Sequence, residues 1–553
     1  MKTVKLREDE KRMLVESCER EVKGRFKVKA LCLTDIVDLE SHGGRYFEVL
    51  VVLDKYPLIS SFSFKRVNAH YVSYVMVDSK FFEADVQKGL LGEMFSEKIT
   101  FFYIPLINEG YLKGLELELK KRLIKEQVTR LAIEYPELYR EFLIKPEYFI
   151  YDIIFQRCRF TPYILWKFSR LMKAVGVENI KEGFFKAAQP LIKSGLLSTH
   201  DGYLEIVRSP LANGVKIKDR FADYLKSTTQ ILIRHGLGAL QDSSTAFFQA
   251  VKLGKLPELL SFIDKLNLLV EDPQNYIFIP TAKGLSSLSE TFSMSSLLRK
   301  ILPDGYGKIV AVEKLGGILN SVYLIRFEQN GLSEKVVVKK FNDWVGFKWF
   351  PLALWALGTK NFAVLGRTRL GREYSSNKYL YERGFPVPRI VYVNLREKLL
   401  VSEFIEGTSL TDIIKPLLSE NGGEGLQFLR QAGKIVALAH KNGVTLGDCK
   451  PENFIVSEKG GVYFVDLEQA TFDEDHSWDI AEFLYYSGHY LEPFKPADKI
   501  DPLTTEFLSG YLEEGGRVKA VREASSIKFI KTFSFFTPPH VISRIANICK
   551  NYG

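Results

Sequence analysis

The sequence predicts a multidomain α+β protein. Three observations lead there. The chain is 553 residues long, more than one hydrophobic core serves. Strand-like runs give way to helical ones more than once. A serine-rich stretch (Ser286, Ser287, Ser289, Ser293, Ser295, Ser296) breaks the pattern before a last block that opens β-rich and ends helical. The expected divisions are an α/β domain over 1–115, a helical segment over 116–177 and a winged-helix-like helical module over 178–283. A linker over 284–300 then leads to a C-terminal domain over 301–553.

Composition excludes several classes. Apolar residues make up 46% and charged residues 26%, the balance of a folded globular chain rather than a disordered one. A formal charge of +9 permits an acidic or nucleic-acid partner without requiring one. Cys18, Cys32, Cys158, Cys449 and Cys549 are scattered and odd in number, which argues against a disulfide framework or a zinc site and for a reducing cytoplasm. Met1 to Lys5 turns charged at once and lacks a signal-peptide core. The most apolar stretch, Trp349 to Gly358, is too short to span a bilayer, so no membrane span is expected.

Within 1–115, a charged helix at 9–22 precedes strand-like runs at 28–33, 46–53 and 71–77, with a further one at 101–106. From Leu112 to about Met172, Leu115, Leu117, Leu119, Leu123 and Val128 sit among Lys, Arg and Glu, the pattern of an amphipathic helix with a solvated face. Phe184 to Ser194 reads as a helix closed by Gly195, and 196–199 and 203–207 flank a His200-Asp201-Gly202 turn. A second hairpin is expected at 266–282. The two read either as tandem winged helices or as unrelated hairpins.

The C-terminal block carries the chemistry. In Gly447-Asp448-Cys449-Lys450-Pro451-Glu452-Asn453, an Asp precedes an Asn by five positions, after a helix and before a strand. Such spacing sets a carboxylate against an attacking hydroxyl, with a neutral amide oxygen nearby to hold a metal without added repulsion. Tyr463-Phe464-Val465-Asp466 then ends an apolar strand on a second metal-ligand candidate. Upstream, Val336-Val337-Val338-Lys339-Lys340 is a strand ending in lysine, where Lys339 is the phosphate-contact candidate and Lys340 its rival. Gly316 and Gly317 join two strands, and with Asn320 and Ser321 form a turn through which backbone approaches phosphates. Glu373 opens the next helix and is expected to pair with Lys339. Backbone groups of Glu403 and Ile405, after the strand 399–403, are expected to bind the adenine edge. Asp479 is expected to brace the catalytic loop from a following helix.

In this order the motifs resemble the protein-kinase-like superfamily, here with a bilobal fold. Only the twelve residues 467–478 separate Asp466 from Asp479, which leaves no room for a long activation loop. The Arg-Thr-Arg-x-x-Arg-Glu helix (367–373), the Phe-Pro-Val-Pro turn (385–388) and Glu403-Phe404-Ile405-Glu406-Gly407 are similar to the KEOPS-complex kinase and its RIO relatives. The loop from Gly317 to Tyr323 is similar instead to aminoglycoside and choline phosphotransferases. The resemblance implies ATP and Mg2+ as cofactors, atypical serine/threonine kinase or ATPase activity, and a link to tRNA threonylcarbamoylation. Its alternatives are a small-molecule phosphotransferase and a nucleotide-sensing scaffold. Leu446, Leu467 and Glu468 depart from the families, which carry His, an aromatic residue and Gly there.

Partners expected are ATP, a protein or small-molecule hydroxyl acceptor, and RNA or protein through the N-terminal modules. The stretch from Arg517 onward has seven Lys or Arg against one acid, Glu523, and reads as a basic tail or as a solvated helical face. Residues 46–53, following the strand at 28–33, are similar to a nucleotidyltransferase core, with Glu48, Asp54 and Asp78 as the nearby candidate acids. The Gly-Ser turn and Asp-x-Asp pair of that fold are missing, which points to a non-catalytic scaffold.

Overall fold

The apolar runs of the N-terminal third form a sheet covered on both faces. A computed structural model describes residues 6–22, 24–39, 44–90, 93–158, 177–210, 271–290, 308–316, 320–329, 332–342, 363, 365–419, 425–473, 475–491, 495–533 and 537–552. The chain divides into two units, one of residues 1–134 and 142–278, the other of 135–141 and 279–553.

The first unit begins with α1 (Glu8–Val22), β1 (Lys27–Leu39), β2 (Gly44–Asp54), β3 (Ser60–Val67), β4 (His70–Asp78), α2 (Ser79–Lys88), β5 (Ile104–Ile107) and α3 (Glu109–Glu134). The strands order as β3-β4-β2-β1-β5, with β2 and β4 parallel and the other pairs described antiparallel. Leu14, Cys18 and Val22 of α1 pack on one face, against Leu33, Phe47, Val49, Val51 and Tyr74. Ala30, Cys32, Leu50, Val52 and Val75 are buried on the other, and burial of both faces is why β2 and β4 read as near-continuous apolar runs. Strand β3, polar and half-exposed at the sheet edge, lacks that signal and was not expected.

Next come β6 (Leu143–Ile144), α4 (Glu147–Cys158), α5 (Val177–Lys193), β7 (Leu197–His200), β8 (Tyr203–Ile206) and β9 (Ile277–Thr281). The β7–β8 hairpin turns at Asp201 and Gly202, both with positive φ, and β8 also pairs with β6. Residues 266–270 of the second expected hairpin lie outside the described residues, and β9 pairs with Leu143 and Ile144.

In the second unit, β10 (Gly284–Ser287) leads to β11 (Lys308–Gly316), β12 (Asn320–Gln329) and β13 (Leu332–Phe341). These are followed by α6 (Gly366–Tyr381), β14 (Ile390–Asn394) and β15 (Leu399–Glu403). Strands β11 to β15 form an antiparallel sheet in the order β11-β12-β13-β15-β14. A helical lobe follows: β16 (Gly407–Ser409), α7 (Leu410–Ser419), α8 (Leu426–Lys441), β17 (Phe454–Ser457), β18 (Val462–Phe464) and α9 (Ser477–Gly488). It ends with α10 (Asp501–Glu513), α11 (Val518–Ala524), α12 (Ile527–Phe533) and α13 (Pro539–Asn551).

One expectation is corrected here. The serine-rich stretch does not begin as linker: 284–287 is a strand, Ser286 and Leu288 are buried, and Ala282 N–H donates to the Ile390 carbonyl at 3.1 Å. Of the two readings of the basic C-terminus, the solvated helical face is the one the packing bears out. Helices α11 to α13 bury Val521, Phe529, Val541 and Ile545 in the core of the helical lobe, and Arg544, Lys519 and Lys528 pair with Asp501, Glu523 and Asp475. Its charges are the outer faces of packed helices.

Candidate active site

The site is assembled between the five-stranded sheet and the helical lobe. Along β13, Val336 and Val338 enter the sheet core, while Lys339 shares the opposite face with Val337 and Phe341. Lys339 is 8% exposed and its Nζ lies 5.0 Å from the Phe341 ring centroid, whereas Lys340 is exposed. Strand alternation thus decides between the two lysines.

Three carboxylates surround the Lys339 ammonium: Asp466 at 2.9 Å, Glu468 at 3.0 Å and Glu373 at 3.6 Å. The expected Lys339–Glu373 pair is brought together, but as the longest of the three. Glu373 also accepts the Leu467 N–H at 2.7 Å, which ties α6 to the segment after Asp466. A second cation, Arg369, is fully buried one helical turn before Glu373. It contacts Glu468 at 3.1 Å and donates to Asn320 Oδ1 at 2.7 Å. The Asn320 amide in turn donates to Glu468 at 2.5 Å.

The Asn320 side chain, expected at the phosphates, is therefore committed inward. Ser321 lies on the opposite face of β12 by alternation. Gly316 ends β11, and Gly317 lies outside the described residues. Glu403 closes β15 opposite Val336, with its N–H donated to the Arg389 carbonyl at 3.0 Å. Ile405 lies just beyond, and its backbone makes no hydrogen bond within the described residues.

The catalytic loop follows α8. Gly447 adopts φ +85°, a left-handed conformation that favours glycine at the bend before Asp448. Asp479, on α9 and fully buried, accepts the N–H groups of Leu446 at 2.6 Å and Gly447 at 2.8 Å and contacts His440 Nε2 at 3.0 Å. This is the bracing role expected of it. Glu482, one turn on, accepts from the Cys449 N–H at 2.8 Å and from the Trp478 indole at 2.9 Å. Leu446, at the family's polar position, is fully buried in the lobe core.

Asp448 projects from this braced loop. Lys450 lies 2.7 Å from its carboxylate, and the Asn453 amide donates to its carbonyl at 2.8 Å. The Val465 N–H donates to the Asn453 carbonyl at 3.0 Å, so the two metal-ligand candidates sit on hydrogen-bonded neighbouring segments. The donor set fits a hard divalent cation. With its amide nitrogen turned to Asp448, Asn453 keeps Oδ1 without a hydrogen bond among the described residues, as does Asp466 its Oδ2. Mg2+ prefers such oxygens and completes its shell with water and phosphate.

The profile of the lipopolysaccharide kinase (Kdo/WaaP) family matches residues 328–482, a span that holds Lys339, Glu373, Asp448, Asn453, Asp466 and Asp479. This span is similar to the protein-kinase-like superfamily, in its atypical, archaeal-type branch. Over 110 residues the chain is 33% identical to "KEOPS complex subunit Bud32" of Pyrococcus abyssi, covering 20% of this chain and 48% of that one. Over 144 residues it is 29% identical to "Probable serine/threonine-protein kinase BUD32 homolog" of Archaeoglobus fulgidus, covering 26% and 66%. A 150-residue match at 27% identity, covering 26% and 25%, is to "Probable bifunctional tRNA threonylcarbamoyladenosine biosynthesis protein" of Methanocaldococcus jannaschii. The chain thus spans about half of the first relative and 66% of the second.

Two residues of the kinase-like domain escaped sequence reasoning. Glu468 was noted only as a departure from glycine, and Arg369 only as part of a motif. The i, i+4 spacing of Arg369 and Glu373 places both on one helix face and was the available signal. Their charges shape the site. Burial alone would lower the Lys339 pKa, but Asp466, Glu373 and Glu468 together raise it, so the ammonium stays charged. Burial would raise Glu468, yet Lys339 and Arg369 hold it below its ordinary value. Glu373 and Asp466 are both pushed up, first by burial, because three carboxylates share two cations.

Proposed function

We propose that the kinase-like domain transfers the γ-phosphate of Mg2+–ATP to a hydroxyl group, on a protein or on itself, as an atypical serine/threonine kinase or an ATPase. One observation carries this reading: Asp448, held by Asn453 and Lys450, stands beside the segment that joins Asp466 to Lys339. Asp448 orients the attacking hydroxyl and takes its proton. Lys450, paired with that carboxylate, adds positive charge where the transferred group arrives. Lys339 steadies the phosphates, with Glu373 directing its ammonium. Asn453 and Asp466 hold Mg2+, which when bound neutralises charge on the phosphate oxygens. Turnover then rests on positioning and electrostatics, with little covalent work for the protein.

Ahead of the domain, α5, the β7–β8 hairpin and the pairing of β6 with β8 support a winged-helix-like module that contacts RNA or protein. The name of one archaeal relative, a tRNA threonylcarbamoyladenosine biosynthesis protein, favours a role near tRNA modification. A second reading, a small-molecule phosphotransferase, is favoured by the short path from Asp466 to Asp479 and by the lipopolysaccharide kinase description.

The test is Mg2+-dependent turnover of γ-labelled ATP by the full chain, with Asp448→Ala and Asp466→Ala alongside. Label appearing on protein or as free phosphate, and lost in both variants, supports the proposal. Undiminished turnover in Asp448→Ala overturns the assignment. ATP binding without turnover favours a nucleotide-sensing scaffold instead.

A further inference from the structure

The helix that carries Glu373 has a second face, and it is occupied by residues from far earlier in the chain. Residues 135–141 follow α3 directly, yet they belong to the same unit as the kinase-like domain. Arg367 lies 5.1 Å from the Tyr135 ring centroid. A Cβ at Gly371 would lie 3.0 Å from Glu137 Cβ and 3.3 Å from Leu138 Cγ, so any larger residue would push the segment back by a few tenths of an ångström. The Tyr374 hydroxyl donates to the Pro280 carbonyl, and Lys378 pairs with Glu141. Beside this row, Arg372 lies 3.7 Å from Glu137. Leu138 is 1% exposed, so the segment is packed down rather than draped.

Positions 367, 371, 374 and 378 form one stripe of α6. At about 100° per residue, their mean direction lies roughly 150° around the helix from Arg369 and Glu373. The helix is thus held between the segment on one side and the Lys339 cluster on the other. A rigid helix gripped on its outer face has little freedom to rotate or withdraw its inner one.

We infer that residues 135–141, with Pro280, act as a built-in strap that positions Glu373, and through it Lys339, for binding the phosphates of the nucleotide. Glu141, Glu137 and Leu138 are positioning residues, since none of them touches the cluster itself. The kinase-like domain therefore does not begin at residue 301: its working form includes a segment bounded by α3 and β6 of the other unit. The inference rests on the nucleotide reading above.

The experiment compares ATP and adenosine affinity in the full chain. The adenosine affinity reports an intact base site, and the ATP-to-adenosine ratio reports a correctly set Lys339. The variants are Glu141→Lys, Lys378→Glu, the double exchange, and Glu141→Gln as a milder change should a reversal fail to fold. The single variants should lower the ratio about fivefold or more while adenosine binding holds, and the double exchange should restore it. An unchanged ratio in Glu141→Lys and Glu141→Gln, or a loss that the double exchange does not restore, overturns the strap. Failure of the wild type to bind ATP at all instead overturns the nucleotide reading, and the strap with it.

Discussion

Lys339 lies 3.0 Å from Glu468, closer than the 3.6 Å that separates it from Glu373, the partner expected from the motif. Glu468 holds two cations at once, because its other oxygen is 3.1 Å from the fully buried Arg369. Removing Glu468 takes from the buried Arg369 the carboxylate 3.1 Å from its guanidinium. Glu468→Ala should therefore destabilise the fold by about 3 kcal/mol, read as a shift in urea midpoint. The double variant Arg369→Met/Glu468→Leu should recover most of that loss. Equal destabilisation in single and double variants would show that the pair is not what holds these chains together.

The two adjacent lysines make a sharper test of the site. Lys339→Met should lower turnover by about 100-fold or more, the scale of losing a preorganised charge contact. Lys340→Met, on the solvent side, should stay within about twofold. Steady-state ATP turnover on both variants checks this, and comparable losses would show that the strand register has been misjudged.

Asp479 carries the catalytic loop without touching the reacting groups. Asp479→Ala leaves the Leu446 and Gly447 N–H groups and His440 without their acceptor. A cost of about 3 kcal/mol is expected by chemical denaturation, since each hydrogen bond lost is to a charged group.

His476 sets an acid limit on stability. It is 2% exposed, and its ring centroid lies 4.1 Å from that of His440. Burial first, and then His440, lower its pKa from the ordinary 6.5 to about 4, while Asp479 and Asp473 oppose the shift and Arg517 adds to it. The unfolded chain therefore takes up this proton before the folded one. Stability is full above about pH 6.5 and is lost as pH falls toward 4, by about 2–3 kcal/mol in all. Melting temperature against pH should show this fall in the wild type and a flatter profile in His476→Gln.

Deleting residues 517–553 should abolish soluble folding of the kinase-like domain, because Val521, Phe529, Val541 and Ile545 leave the lobe core with them. A stable, monomeric truncated chain by size exclusion would restore the picture of a dispensable basic tail.

Much of the catalytic loop was legible because its chemistry lies in short, local spacings. Asp448 and Asn453 stand five positions apart on one loop, and Asp466 lies two residues past the strand whose neighbour follows Asn453. The long helices and apolar strands announced themselves by periodicity. Strand β3 and the strand at 284–287 did not, since a polar edge strand and a Ser-rich one lack an apolar alternation.

The sequence by itself determined the order of the kinase-like motifs, the identity of the loop residues and the unlikeness to kinases with a long activation loop. All of these depend on residues near one another along the chain. The tertiary structure alone decided that Glu468 and Arg369 join the Lys339 cluster, that Asn320 turns inward, that the basic C-terminus is a packed lobe, and that residues 135–141 grip the Glu373 helix. Each of these joins residues distant in sequence, up to the 237 positions between Glu141 and Lys378. Local composition carries no record of such pairings, because burial and charge compensation are settled only when the elements pack.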